Sequence, residues 1–510
     1  MPYIYANKAI FAKKKLGVIQ KQSISGSIYS YIGVVLGFII TAILFTHFFT
    51  TDEVGLLRIL VSYSILLSQF AGLGMNTVTV KLFPYFRNHD KKHHGYLGLA
   101  LLISLVGLII VLSAYIFLKQ YILDETKEGN NLFSSYYFLV VPLVISTVLF
   151  NVLDTYYRVL YNAVKGIIYK EVIQRVLLLV VIIPYYYNLI NFHQTVVLYI
   201  IAMISPGILL FGSLVYNKKL FIVPNFKFVD NGLAKEMLSV GLFGIIASYS
   251  GVLVMNIDTI MIERMLGLSA AGIYSITFFF GTLILVPMRT MGKISSVVIA
   301  DAWKRNDLNQ INQIYKKSSI SLSIIGLLLM IGIWGNINNV FHIISSQYLP
   351  GKYVILLIGL ANLVDILNGM SPQIIVNSRH YKYFSYLLFI FAVLIVVTNL
   401  ILIPIYGIVG AAIATLLSKI IYNTIKFIFL YIKYKLQPFT VKTVLLYLIG
   451  IGAYGVSLLL PEQSNYIVDI LLRSSIITIL FMVPVYYLNI SDDVNDKINT
   501  TIKKLVANRL

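Results

Sequence analysis

Residues 96–118 read YLGLALLISLVGLIIVLSAYIFL, a run of 23 residues without a charged side chain. Lys91 and Lys92 stand before this run, and Lys119 follows it directly. A helix needs about 20 mostly apolar residues to cross the hydrocarbon core of a bilayer. Inside that core every backbone N–H and C=O must be paired within the segment, which an α-helix achieves. The stretch therefore predicts a transmembrane helix with charged residues at both ends.

The same pattern recurs along the chain of 510 residues. Hydrophobic residues make up 58% of it and charged residues 12%, whereas soluble domains average about 45–50% and about 25%. We predict an all-α polytopic membrane protein of about fourteen transmembrane helices. The predicted spans are 24–47, 55–80, 96–118, 133–156, 172–190, 195–216, 238–262, 270–296, 314–335, 353–376, 383–403, 407–431, 440–459 and 466–488.

The basic residues lie at alternate ends of these spans. Of the 40 lysines and arginines, 34 fall on one side, counting Lys419 and Lys426 at the end of span 407–431. Cytoplasmic loops carry the excess of basic residues, so we predict a multi-pass protein of the bacterial inner membrane with both termini in the cytoplasm. Residues 3–22 are a basic lead-in expected on the anionic inner leaflet. This placement explains the net charge of +20 without a nucleic-acid partner.

An internal repeat divides the chain. Spans 24–47 and 55–80 align without a gap with 238–262 and 270–296 at an offset of 217 residues, which places Gly55 opposite Gly272. Six spans separate the copies, so both enter from the same side and form parallel repeats. We predict two six-helix lobes around a central cavity, with two extra C-terminal helices. The predicted boundaries are 1–222, 223–436 and 437–510.

Several chemistries are excluded or disfavoured. The chain has no cysteine, which removes thiol catalysis and cysteine-bound metals. It has no G-x-x-x-x-G-K-[ST] motif, so ATP cannot power it through a P-loop. The loops on the outer side are short, which argues against a membrane enzyme. His89, His93 and His94 could hold a metal, but a solvated loop is the favoured interpretation. We predict no cofactor, with H⁺ or Na⁺ as a coupling ion.

Charged residues at membrane depth are costly and usually face a cavity. We assign Arg58 and Arg289 to an anionic headgroup, because a guanidinium fork matches two phosphate oxygens. Asp258 and Asp365 are predicted cavity acids or ion-coupling groups, since an aspartate is too short to reach the interface. The alternative for the arginines is snorkelling or pairing between helices.

Other polar residues in the spans leave two interpretations open. Asn256, Asn362 and Gln373 could line a sugar path or only form hydrogen bonds between helices. Asp154 and Arg158 stand four residues apart, close enough to pair on one helix face. For Arg473, near the outer end of its span, pairing or snorkelling is favoured.

Three stretches resemble a known family. They are Ser25–Ser27 with Glu53–Leu56, then Asn256–Ile262 with Leu266–Tyr274, and Asn399–Thr415. The chain resembles the polysaccharide transporter (Wzx-like O-antigen flippase) branch of the multidrug/oligosaccharidyl-lipid/polysaccharide exporter superfamily. The resemblance implies a lobed fold and export of undecaprenyl-pyrophosphate-linked sugar units by alternating access. Asp258 is the position that it supports best, with Arg58 and Arg289 next.

The predicted function is therefore that of a lipid-linked oligosaccharide flippase, not an enzyme. The alternatives are a multidrug or organic-cation antiporter of the same superfamily, and a membrane enzyme of glycan assembly. The predicted partners are the lipid-linked oligosaccharide, membrane lipids and other polysaccharide-assembly membrane proteins. We expect a functional monomer.

Overall fold

The structure is a computed structural model that describes residues 22, 25–88, 92–123 and 130–507. These residues form helices and connecting loops, with no β-strand among them. Eleven of the described helices are long and apolar enough to cross a membrane. The prediction of an all-α polytopic membrane protein is confirmed, while the count of fourteen spans stays a prediction. Most of the basic lead-in at 3–22, together with His89, lies outside the described residues.

The chain divides into two compact units, Met1–Gly272 and Ile273–Leu510. The predicted domain boundaries after residues 222 and 436 are not tested by this division and stay predictions. The helices that begin in the first unit are α1 (Ser25–Phe48), α2 (Thr51–Ala71), α3 (Met75–Phe86), α4 (Tyr96–Phe117), α5 (Val140–Val159), α6 (Gln174–Tyr186), α7 (Phe192–Tyr216), α8 (Asn231–Leu266) and α9 (Leu268–Thr282).

The second unit continues with α10 to α17. Their bounds are α10 (Val286–Lys304), α11 (Leu308–Gly335), α12 (Lys352–Leu367), α13 (Ser371–Asn377), α14 (Tyr381–Tyr434), α15 (Val441–Ser457), α16 (Tyr466–Tyr487) and α17 (Asp492–Ala507). Short helices lie between some of them, for example Asn130–Tyr136 and Ile337–Ile343.

The predicted span 55–80 is wrong at both ends. The helix begins at Thr51, where the Thr50 hydroxyl accepts from the backbone N–H of Glu53 and the Glu53 carboxylate accepts from that of Thr50. This reciprocal cap satisfies two otherwise unpaired N–H groups. The helix ends at Ala71, and Gly74 then adopts a φ of 71°. A Cβ at Gly74 would overlap the backbone of Gly241, so the break needs a glycine.

The predicted span 172–190 is shorter in the structure. Its regular α-helix is α6, of 13 residues, with Pro184 inside it, and a π-helical segment, Ile168–Ile173, leads into it. This helix is not among the eleven of spanning length. The extra residue in a π turn shifts the faces of a helix, which blurs the apolar pattern from which the span was predicted.

Helix α14 is a helical hairpin that contains both predicted spans 383–403 and 407–431. Gly407 has φ 60° and ψ −140°, which only glycine adopts without strain. The arms run antiparallel, because Phe391 stacks on Tyr422 at 4.5 Å and the hydroxyls of Thr398 and Ser418 lie 3.1 Å apart. Lys419 and Lys426 lie in the second arm. Lys426 is 2% exposed, so these two lysines are not loop charges, which corrects their place in the positive-inside count.

The repeat offset reappears in the helix boundaries. Helices α2 and α9 begin at Thr51 and Leu268, which are 217 residues apart. A Cβ at Gly55 would overlap the Leu268 carbonyl, and one at Gly272 would overlap the Thr51 carbonyl. The two contacts, both within the first unit, are reciprocal under the offset, as in a self-complementary interface. The aligned glycines are therefore where two repeated helix starts touch backbone to backbone.

Candidate functional site

Arg58 is held against a distorted part of α1. Its guanidinium donates to the Thr41 hydroxyl at 2.9 Å and lies 5.4 Å above the Phe45 ring. Thr41 belongs to the π-helical segment Ile39–Leu44. Such segments often occur at functional sites because they turn a side chain out of its usual register. Arg58 is half-buried, so a cation is positioned inside the first unit by two helices.

Arg289 lies in the second unit and differs from Arg58 in its surroundings. It is exposed, in the first turn of α10 after Pro287. No hydrogen bond or ion pair to another described residue holds it. Its guanidinium is therefore open to a ligand from solvent, while that of Arg58 is already oriented by Thr41.

The two predicted residues of α8 are placed differently. Asp258 is 3% exposed, which agrees with an acid that does not reach the interface. Asn256 donates its amide to the Val252 carbonyl at 2.9 Å, one turn back on the same helix. Glu263, which sequence reasoning missed, is also buried. Its position near the end of a predicted span suggested an interfacial residue, and only the packing of α8 against α2 shows otherwise.

Asp365 and Asn362 are brought together in one polar network. The Lys419 ammonium lies 2.6 Å from Asp365 Oδ2 and donates to Asn362 Oδ1 at 2.5 Å. The Asn423 amide donates to Asp365 Oδ1 at 2.8 Å. Asn362 in turn donates to the Gly281 carbonyl at 2.8 Å. The network joins α12 to the second arm of α14 and to α9, and its central ion pair is largely buried.

A second buried lysine adjoins this pair. Lys426 lies 4.3 Å from the centre of the Tyr422 ring, a distance at which a cation is attracted to the face of the ring. Sequence reasoning missed both lysines as site residues, because they stand where a span was expected to meet the cytoplasm. The cluster therefore holds two ammonium groups and one carboxylate inside the second unit.

Gln373 is not part of that network. It lies on the short helix α13, where a Cβ at Gly292 of α10 would come within 2.8 Å of its Nε2. Its Oε1 is buried with no hydrogen-bond partner among the described residues. Asn377, one turn on, donates to Ser296 of α10 at 3.2 Å. The structure thus places Gln373 between α10 and α13.

Three further ion pairs join residues four apart on one helix. Asp154 and Arg158 lie 3.1 Å apart, as predicted, and Glu171 and Arg175 lie 2.6 Å apart. Arg175 also donates to the Gly33 carbonyl. In the second unit Asp469 and Arg473 form a buried pair at 3.2 Å. These pairs were visible from spacing, but their burial was not.

Arg473 ties α16 to the end of α15. Its guanidinium donates to the carbonyl of Ser457 at 2.8 Å, and Asp469 accepts from the Asn339 amide at 2.5 Å. The last carbonyls of a helix lack partners within it and attract cations. The favoured interpretation of Arg473 as a pairing residue therefore agrees with its contacts.

The described histidines do not gather into a metal site. His94 stacks on Phe228 at 3.9 Å, and His93 packs edge-on to Phe83 at 5.2 Å. Among the described residues, no group of three or more His, Asp or Glu side chains could hold a metal ion.

The fold defines a class, the multi-helix transporters of the MOP superfamily. The lipid II flippase MurJ in an inward closed conformation matches with a TM-score of 0.72 at 15% identity, covering 91% of this chain and 99% of that one. An inward-facing multidrug resistance MATE family transporter matches with a TM-score of 0.62 at 12% identity, covering 80% and 98%. A MOP superfamily transporter from Pyrococcus furiosus matches with a TM-score of 0.54 at 13% identity, covering 82% and 96%.

Residues 20–287 match the polysaccharide biosynthesis protein family. This stretch is more than half of the chain, so the chain belongs to that family. The resemblance noted from three stretches of sequence is thereby confirmed. Comparison with curated protein sequences gives no match. The protein is a multi-pass membrane protein with the fold of known transporters.

Proposed function

We propose that this protein is a flippase that moves undecaprenyl-pyrophosphate-linked oligosaccharides across the bacterial inner membrane for O-antigen or capsule assembly. One observation carries the proposal: a member of the polysaccharide biosynthesis family shares its fold with a lipid II flippase over nearly the whole chain. Both termini lie in the cytoplasm, and the protein works as a monomer by alternating access. Its partners are the lipid-linked sugar, membrane lipids and other membrane proteins of polysaccharide assembly.

The two predicted arginines supply charge for the pyrophosphate. Arg58 is oriented by Thr41 and Phe45, and Arg289 is exposed. A guanidinium presents two parallel N–H donors that match two phosphate oxygens. Because most of the donors of a guanidinium lie at its edge, Arg58 can hold Thr41 and still present donors to a ligand.

Buried acids supply the coupling to an ion gradient, with H⁺ or Na⁺ as the ion. Asp258 lies buried in the first unit and Asp365 in the second. A buried carboxylate is costly unless it is compensated by a cation or a proton. A change in compensation can therefore favour one conformation over another.

An organic-cation antiporter is the second candidate, because a multidrug resistance MATE transporter shares the fold. Such a ligand needs an acidic site of its own. Asp365 is already paired with Lys419 at 2.6 Å, and two lysines accompany that single carboxylate. This charge balance favours the flippase.

The test is a reconstituted flip assay. Purified protein in liposomes receives undecaprenyl-pyrophosphate-linked oligosaccharide on one side, and the sugar that reaches the other side is oxidised by an impermeant enzyme. Arg289→Ala should slow the appearance of sugar about tenfold or more, as expected for the loss of a charge-assisted phosphate contact. Arg305→Ala is the matched control, since Arg305 is also exposed and pairs only locally with Asp301.

Two results would contradict the proposal. In the first, wild-type protein moves no lipid-linked sugar but exchanges organic cations under an ion gradient, which would favour the antiporter. In the second, Arg289→Ala and Arg305→Ala slow flipping equally, which would remove Arg289 from the substrate site.

A further inference from the structure

One face of the second arm of α14 is lined with polar and aromatic residues that are buried. Lys419, Tyr422, Asn423 and Lys426 recur at the spacing that places helical residues on one face. Tyr422, Asn423 and Lys426 are at most 6% exposed, and the Lys419 side chain is 12% exposed. The face packs against α12, which contributes Asp365.

The Asp365 carboxylate is fully engaged. Oδ2 faces the Lys419 ammonium at 2.6 Å, and Oδ1 accepts from the Asn423 amide at 2.8 Å. Lys419 also donates to Asn362. Hard metal cations are held by several oxygen ligands at once. Here an ammonium group and an amide N–H occupy the positions that such an ion would need.

Lys426 has no comparable partner. The groups that face it are Asp365 of α12, and Lys419 and Tyr422 of its own arm; α13, which also packs against α14, has no titratable residue. Among the described residues, none accepts a hydrogen bond from its ammonium, and the Tyr422 ring is its nearest partner. Since Lys419 already neutralises Asp365, the charge on Lys426 is uncompensated. Burial without a counter-ion favours the neutral amine.

We infer that Lys426 is a proton-binding group and that the Asp365–Lys419–Lys426 cluster couples transport to protons and not to sodium ions. This inference rests on the proposed ion-coupled function. When the cluster is closed, an N–H bond of the Lys426 ammonium breaks, its electron pair stays on nitrogen, and the proton passes to a water molecule. When the cluster opens to water, the amine takes a proton back.

The experiment measures proton binding without the lipid substrate. Liposomes with purified protein are adsorbed on a solid-supported membrane and exposed to a rapid pH step or a rapid sodium step. Wild type should give a transient current on the pH step and none on the sodium step. Lys426→Gln should reduce the pH transient about tenfold, because glutamine does not titrate.

Two variants keep the result interpretable. Lys426→Arg keeps the charge but does not release its proton at accessible pH, so it should also lose the transient. Lys433→Gln, an exposed lysine on the same arm, should keep it. Size-exclusion profiles show which variants fold.

The outcomes separate the inference from the proposed function. A sodium transient that Asp365→Asn abolishes, or a wild-type pH transient in both Lys426 variants, would overturn the inference. If the pH transient behaves as expected but wild type flips no lipid-linked sugar, the proton site stands and the flippase proposal fails. If sugar is flipped without any pH transient, the flippase stands and the proton site fails.

Discussion

The two units hold their charges in different ways. In the first unit, Asp154–Arg158 and Glu171–Arg175 are pairs within one stretch of helix, and each keeps part of its side chains in contact with solvent. In the second unit, Asp365–Lys419 joins two helices and is largely buried, and Asp469–Arg473 is buried although its members stand four residues apart. The comparison separates two properties, distance along the sequence and burial. Burial should decide the energetic effect, since exposed pairs contribute little and buried groups left unpaired cost much.

The largest effect is expected at Asp365. Asp365→Asn leaves Lys419 buried without its counter-ion and should lower the free energy of unfolding by about 3–5 kcal/mol. Detergent-induced unfolding can be followed by tryptophan fluorescence, since Trp303 and Trp334 both lie in the second unit. Asp365→Asn with Lys419→Met should be less destabilised than the sum of the single variants. Strict additivity would mean that the pair is not coupled.

Asp469 tests burial at constant sequence spacing. Asp469→Asn should lower the free energy of unfolding by about 2–3 kcal/mol, because Arg473 loses a buried charged partner. Asp301→Asn is the matched control: Asp301 and Arg305 have the same spacing and a similar distance of 3.1 Å, but their side chains are 63% and 56% exposed. The control should change by less than about 1 kcal/mol. Equal losses in the two variants would show that spacing matters more than burial.

The glycine contact in the first unit is the next test, and it involves no charge. Gly272→Ala would push a Cβ into the Thr51 carbonyl, and overpacking of this kind costs about 1–3 kcal/mol. Gly212→Ala, on α7, is the control, because no atom lies within 4 Å of the added Cβ. It should leave stability unchanged or raise it slightly. Thermal loss of far-UV circular dichroism measures both, and a loss in the control alone would refute the reciprocal contact.

Local features could be predicted from the sequence, and long-range ones could not. The pair Asp154–Arg158 follows from a spacing of four, and the two arms of α14 follow from two apolar runs on either side of Gly407. The partners of Asp365 could not be found in this way, because Lys419 is separated by 57 residues even from its other partner, Asn362. Counting basic residues also treats a lysine near the end of a span as a loop charge, which misplaced Lys419 and Lys426. The break after Ala71 was missed because Gly74 is required by a contact with Gly241, which lies in another helix.

The smallest effect is expected at Asp154. Arg158 keeps 51% of its side chain exposed, and the pair lies 3.1 Å apart on one helix face. Solvent already stabilises much of the charge on the arginine, so Asp154→Asn should change the free energy of unfolding by no more than about 1 kcal/mol. Any change should shrink further in 1 M salt, where the screening length falls to about 3 Å. The Asp365→Asn change should persist in the same salt, because buried charges are screened much less. A loss for Asp154→Asn as large as that for Asp365→Asn would break the comparison, since it would mean that the exposed pair and the buried pair contribute alike.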